Sequence, residues 1–283
     1  MTGEKRHFVT CGQMKILEKR ADSAGLSYRQ MMENAGRAAA EAIMEKEAYS
    51  FPAGGETGIP SSMVAEESFG NTRPEDTSSN NDRSAVIFCG KGNNGGDGFV
   101  CGRILRKAGW KVTAVLVDGK PVTEDSRENF RLLCETGARI LDMKENDRAL
   151  MELNFDPDII VDAIYGTGFH GSLSGAALKA AIYINTYSAS AGKRKAGGKT
   201  LVFALDIPSG LGGDVTSEKY IDVNSVKAHF TVTFHARKPV HLQKFAPLYC
   251  GETIVADIGI EEDKLWDPDT YRSMMKKTDK KPE

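Results

Sequence analysis

The stretch SAVIFCGKGNNGGDGFVCGRILRKAGWKVTAVLV, residues 84–117, decides the fold class. It opens on a short apolar run, 84–89, which reads as a strand buried on both faces. A glycine-rich turn follows. The segment 97–108, closed by Gly109, then reads as a helix, and 111–117 as a second strand. Strand, glycine turn, helix and strand make a βαβ unit, whose crossover leaves its two strands parallel.

Within the turn, Gly90, Gly92 and Gly95 match the spacing G-x-G-x-x-G. That pattern lets backbone N–H groups cradle a dinucleotide pyrophosphate at a helix N-terminus. The turn lacks Gly-Lys-Ser/Thr, so it is not a P-loop. Asp118, at the end of the second strand, stands where a ribose-binding acid belongs. Two features disagree with a dinucleotide fingerprint. The helix is expected to start only after Gly96-Asp97-Gly98, and Asn93, Asn94 and Asp97 add side chains where that fingerprint tolerates little bulk. A plain glycine turn with Asp97 as helix N-cap is the simpler alternative.

Working outward, a helix is expected near 13–23, broken at Ala24-Gly25. A second starts at Ser27, with Gln30 completing a capping box and small residues suited to close packing. This pair should cover one edge or face of the sheet. Residues 49–83 are rich in Gly, Pro, Ser and Asn without any period, and read as an irregular surface insertion. Beyond the βαβ unit, helices are predicted at 123–136, 146–153 and 173–187. Strands are predicted at 138–141, 158–164, 200–207, 230–234 and 253–257. This alternation implies an α/β fold with a mostly parallel sheet covered on both sides.

Bulk properties narrow the function. A net charge of −2 lacks the basic excess of a general nucleic-acid binder, and the basic run 192–199 reads as a solvated loop. No apolar run approaches the roughly 20 residues that span a bilayer. The first residues, MTGEKRHFVT, lack the apolar stretch of a signal peptide, so a cytoplasmic location is expected. Five scattered cysteines without a C-x-x-C pair read as buried reduced thiols rather than a disulfide frame. His229, His235 and His241 lack carboxylates at ligand spacing and do not make a zinc site.

Three glycine-bearing segments each follow a predicted strand: GKGNNGGDG (90–98), DAIYGTGFHG (162–171) and DIPSG (206–210). Loops at the carboxyl end of a parallel sheet can meet in one pocket although far apart in sequence. Asp162 lies inside an apolar strand, where an ionised carboxylate is costly unless paired or bound to a cation. Asn94, Asp162 and Ser209 offer hard, mostly neutral oxygens suited to a monovalent cation, although a strand-end Asp is also a common turn former.

The segments GKGNNGGDGFVCGRIL, VDAIYGTGFHG, ALDIPSG and TVTFHARKP, with the helix carrying MENAGRAAAEAI, resemble the NAD(P)HX epimerase family, the YjeF N-terminal domain. The resemblance spans about residues 10–262. It implies a Rossmann-like three-layer α/β/α sandwich, often a homodimer. The implied isomerase interconverts the R and S forms of NADHX and NADPHX, hydrated nicotinamide nucleotides, for a partner dehydratase. It implies that Asn93, Asn94, Gly95, Gly96 and Asp97 hold substrate phosphate and ribose. Gly166, Thr167, Gly168, Phe169, His170, Gly171 and Ser172 match its substrate-binding stretch, and Asp206 a substrate-contacting carboxylate. Asn94, Asp162 and Ser209 correspond to ligands of potassium. Epimerising a carbon that bears a hydroxyl and a ring nitrogen needs a group that gives and takes a proton, a role for Asp206.

One domain is expected over 1–265, followed by a polar tail or linker over 266–283, where many relatives continue into a dehydratase. His170 stands where members of the resembled family often carry a basic residue, which implies a phosphate contact, although a lone histidine is more often incidental, and Lys238 reads equally as a phosphate contact or a solvated side chain. Two other readings stay open: a nicotinamide-dependent oxidoreductase using Gly90 to Gly95 with Asp118, and a binding module without turnover.

Overall fold

The computed structural model describes residues 8–50, 83–153, 156–189 and 200–265. Two helices come first, α1 (Cys11–Ser23) and α2 (Tyr28–Ser50). The βαβ unit is β1 (Ser84–Cys89), α3 (Asn93–Lys107) and β2 (Lys111–Leu116). There follow α4 (Glu124–Glu135), β3 (Arg139–Asp142), β4 (Ile159–Ala163), α5 (Gly175–Ala189) and β5 (Leu201–Leu205). β6 (Phe230–Phe234), α6 (Ala246–Cys250), β7 (Glu252–Ala256) and α7 (Glu262–Leu265) complete the described chain.

The strands lie in the order β3-β2-β1-β4-β5-β6-β7, and every neighbouring pair is parallel. The chain therefore winds outward from β1 to β3, returns to β4, and winds outward the other way. Where the direction reverses, between β1 and β4, the crossovers leave on opposite faces and a crevice opens beyond the carboxyl ends. Alternating side chains feed two cores. Ala85, Ile87 and Cys89 of β1 face the layer that α1, α2 and α3 build with Leu17, Ile43 and Phe99. Val86 and Phe88 face Ala177, Ala180 and Ile184 of α5. This is the expected three-layer α/β/α sandwich.

Most strand bounds agree with the sequence reading within two residues, and three segments differ. α3 begins at Asn93, with Gly92 as its N-cap, and not after Gly98. A Cβ on Gly95 would stand 1.9 Å from the Gly90 carbonyl oxygen, so the glycines that read as helix breakers are what allow so tight an entry. Residues 146–153 form turns and no helix. The Asn146 side chain accepts the Arg148 N–H at 2.9 Å, a local bond that competes with helical pairing. α2 continues to Ser50, past the expected start of the insertion.

Residues 51–82 of that insertion, the basic run and the 266–283 tail lie outside the described residues. Four of the five free cysteines are buried, and Cys134 is exposed. Among the described residues, no helix is long and apolar enough to cross a membrane.

Candidate active site

The site is built from strand ends. β1 delivers Gly90, and the chain turns through Lys91 and Gly92 into α3. The Gly92 N-cap has no side chain, so it leaves the first-turn N–H groups of α3 without a capping partner. The late helix start that spoke against a phosphate cradle is thus overturned: Asn93 and Asn94 sit in the first turn itself.

β4 carries the fully buried Asp162. Its Oδ1 accepts the Ser209 hydroxyl at 2.6 Å and the Ile164 N–H at 3.2 Å, and its Oδ2 accepts the Ser209 N–H at 2.7 Å. Ser209 Oγ also accepts the Tyr165 N–H at 3.0 Å, so the second and third loops are hydrogen-bonded together. The first loop joins them at Gly166. A Cβ there would lie 2.9 Å from Asp206 Oδ2 and 3.2 Å from Asn94 Oδ1, which only glycine avoids. Asn94 and Asp206 therefore meet against the backbone of the middle loop.

They border a cavity of about 720 Å³, a size usual for cofactor-binding clefts. Asn93, Asn94 and Asp97 line it from α3, and Asp206 from the end of β5. Gly166, Thr167, Gly168, Phe169, His170 and Ser172 line it from the loop after β4. Phe169 stacks on Tyr165, with ring centroids 5.1 Å apart, giving this wall a flat apolar face. Gly95, Gly96, Gly171, Asp162 and Ser209 lie outside the cavity wall. Asp118 is engaged elsewhere, its Oδ2 accepting the Tyr165 hydroxyl at 2.9 Å.

Asp206 has a backbone φ of 63°, in the left-handed region that few side chains adopt. Its Oδ2 accepts the Thr167 N–H at 3.0 Å. Its Oδ1 accepts Lys238 Nζ at 2.6 Å. Burial pushes this carboxyl up, but the Lys238 charge and hydrogen bond, with His241 and the Thr167 N–H, outweigh it and hold Asp206 below the usual range. Asp206 is thus an ionised carboxylate at neutral pH. Asp97 is its opposite. Burial first, then the charges of Asp206 and Glu18, push its carboxyl well up, against a smaller opposing effect of Lys238.

Lys238, left between two readings by the sequence, is not a solvated side chain, and it borders the cavity. It is fully buried, and its ammonium also donates to Thr233 Oγ1 at 3.0 Å and the Phe234 carbonyl at 2.9 Å. The three histidines are tied to separate partners. His229 Nδ1 accepts the Val202 N–H, His235 Nε2 meets Glu262, and His241 Nδ1 accepts the Lys238 N–H. The sequence reading also passed over Met14, Lys15 and Glu18 of α1, which line the cavity. The one signal for them is helical spacing: Glu18 lies one turn beyond the buried Met14.

Residues 28–240 match the family described as YjeF-related protein N-terminus. The bifunctional NAD(P)H-hydrate repair enzyme Nnr of Archaeoglobus fulgidus is 33% identical over 255 residues, which are 90% of this chain and 42% of that protein. The NAD(P)H-hydrate epimerase of Roseobacter litoralis is 31% identical over 265 residues, 89% of this chain and 98% of that protein. The crystal structure of yeast ynu0 shares the fold, with a TM-score of 0.61 over 82% of each chain at 21% identity. With its family match covering the switch-point loops, Asp162 and Asp206, the chain belongs to the YjeF-related N-terminal family.

Proposed function

We propose that the protein is an isomerase that interconverts the R and S forms of NADHX and NADPHX. The observation that carries this reading is the meeting of Asn94, Gly166 and Asp206 at one cavity, with an ionised carboxylate beside an uncapped helix N-terminus. The repair enzyme and the epimerase that the chain is similar to support the substrate class.

In this reading the substrate phosphates lie against the first-turn N–H groups at Asn93 and Asn94, where the α3 dipole favours negative charge, and Gly95 and Gly96 behind them, with the Gly96 N–H bonded to the Gly92 carbonyl, keep the turn tight. Asp97, whose carboxyl burial pushes up, faces a ribose hydroxyl. The loop from Gly166 through Thr167, Gly168, Phe169, His170 and Gly171 to Ser172 encloses the damaged ring. Asp206 is the catalytic carboxylate that accepts a proton from the water that adds to the reacting carbon. Its charge is fixed in advance by Lys238, so no reorganisation is needed as the proton arrives.

Asn94, Asp162 and Ser209 fit a potassium ion. One carboxylate with amide and hydroxyl oxygens carries a single negative charge, which suits a monovalent cation. Burial pushes the Asp162 carboxyl up to about 6 against its Ser209 and Ile164 hydrogen bonds, and none of these partners is cationic. Among the described residues no three His, Cys, Asp or Glu side chains gather as a more highly charged metal would need. When bound, potassium would add positive charge beside the substrate phosphates.

The working unit is read as one epimerase domain over residues 1–265, acting as a homodimer and passing the S form to a dehydratase. The bifunctional repair enzyme of Archaeoglobus fulgidus, of which this chain spans 42%, supports that partner. The test mixes the protein with both NADPHX epimers and an S-specific dehydratase, with potassium and with choline in its place. We expect the R form to be consumed well above its spontaneous rate, and faster with potassium. Consumption at the spontaneous rate in both arms would overturn the reading.

A further inference from the structure

Asp206 arrives at the cavity already ionised, so it can take a proton but has none to give. A hydroxyl leaves carbon readily only when protonated, so the reaction proposed above calls for a second group within reach that can supply a proton. Two further carboxyls stand in the cavity wall, Asp97 and Glu18. Asp97 belongs to the same α3 turn as the phosphate cradle and lies beside the nucleotide's anchored part. Glu18 comes from a different wall. It stands on α1, a helix that reaches the cavity independently of the strand-end loops.

We infer that Glu18 is the proton-donating carboxyl of the epimerisation, a catalytic residue working opposite Asp206. α1 is anchored so that this side chain is aimed. Thr10 caps it in a reciprocal box with Gln13, the Cys11 N–H donates to Asp214 at 2.9 Å, and Met14, Leu17 and Ala21 are buried along one face. Glu18 itself is half-buried and makes no hydrogen bond or ion pair with any described residue. A carboxyl held in place, directed into a cavity and left without a partner is free to engage a ligand hydroxyl.

The charged and titratable groups that face it are Lys15 on its own helix, Tyr28 at the start of α2, Asp97 in α3, Asp206 after β5 and Lys238 after β6. Burial and the Asp206 charge push the Glu18 carboxyl up to about 7, against the opposing charges of Lys238 and Lys15. It therefore holds a proton in neutral solution and can also release it, as a donor that resets each cycle must.

The step balances. The ring nitrogen's lone pair moves into the bond to the carbinol carbon, the carbon–oxygen bond breaks, and the Glu18 proton leaves with that oxygen as water. Water returns to the other face of the ring. The new carbon–oxygen bond forms as the iminium electrons go back to nitrogen, and the surplus proton passes to Asp206. Proton exchange with solvent restores neutral Glu18 and ionised Asp206, so no oxidant or reductant takes part.

The inference rests on the epimerase reading, and one experiment separates their failures. Epimer interconversion is followed chromatographically on both NADPHX forms from pH 5.5 to 9, for the wild type, Glu18→Gln and Glu18→Asp. We expect Glu18→Gln to lower kcat by about 10²- to 10⁴-fold with KM within about threefold. The wild-type loss of rate above neutral pH should vanish in that variant, and Glu18→Asp should retain part of the rate together with the pH limb. An active wild type with Glu18→Gln within threefold of it, or with the same alkaline limb in both, would overturn the role of Glu18 alone. A wild type no faster than the spontaneous reaction would overturn the epimerase reading and this role with it. Should Glu18→Gln fail to fold, Glu18→Asp decides by the same limb, and its absence there counts against the proposal.

Discussion

Lys238 Nζ stands 2.6 Å from Asp206 Oδ1, and the lysine is sealed from solvent. The two residues follow adjacent parallel strands, β6 and β5, so the sheet itself brings the charges together. A buried pair of this kind is costly to halve and cheaper to remove whole. Asp206→Asn and Lys238→Met should each lower stability by about 3–5 kcal/mol, since each strands an uncompensated polar group. The double substitution should recover most of that loss and remain inactive. Urea unfolding midpoints for the four proteins check this, and simple additivity of the two losses would contradict it.

Gly166→Ala tests the meeting of the three loops. The added methyl would press on Asp206 Oδ2 and Asn94 Oδ1 at 2.9 and 3.2 Å. We expect a stability loss of about 1–3 kcal/mol, typical of local overpacking. Activity should fall by about 100-fold, the scale of a misplacement near 1 Å. Parallel thermal melts and epimerisation rates measure both, and an unchanged rate would show that the loops do not share a site.

His241 sets a pH dependence whose sign is fixed. Burial, then the Lys238 charge, push its imidazole down from 6.5 to about 3. Between those values the unfolded chain binds a proton that the native protein refuses, so stability from this residue falls as pH drops through that window. The slope is about 1.4 kcal/mol per pH unit. His241→Gln should therefore shrink the stability difference between pH 7 and pH 5 by about 2 kcal/mol. Denaturant titrations at the two pH values compare wild type and variant, and equal differences would count against this account.

Much of this architecture was legible before any coordinates. The apolar runs at β1, β4 and β5 announce buried parallel strands, and Asp162 inside one of them announces a carboxylate that needs company. Two local readings failed for local reasons. Glycines that lower helix propensity are what let α3 begin at Asn93, and an Asn146 side-chain bond diverts 146–153 from a helix. Lys238 and Glu18 were illegible for a different reason. Nothing in the run around either residue records that an aspartate on another element lies nearby, because strand adjacency and helix packing create that proximity. Residues singled out within their own loops, such as Asn94 and Asp206, do border one cavity, while those whose position matters through a distant neighbour were not singled out.

The φ of 63° at Asp206 sets comfort against purpose. Glycine would rest there with less strain, and a chain selected only for heat tolerance would drift toward it. Each such drift would erase the anionic head on which turnover is built. Position 206 is therefore where thermal robustness and catalytic rate should trade against each other when the protein is evolved in the laboratory.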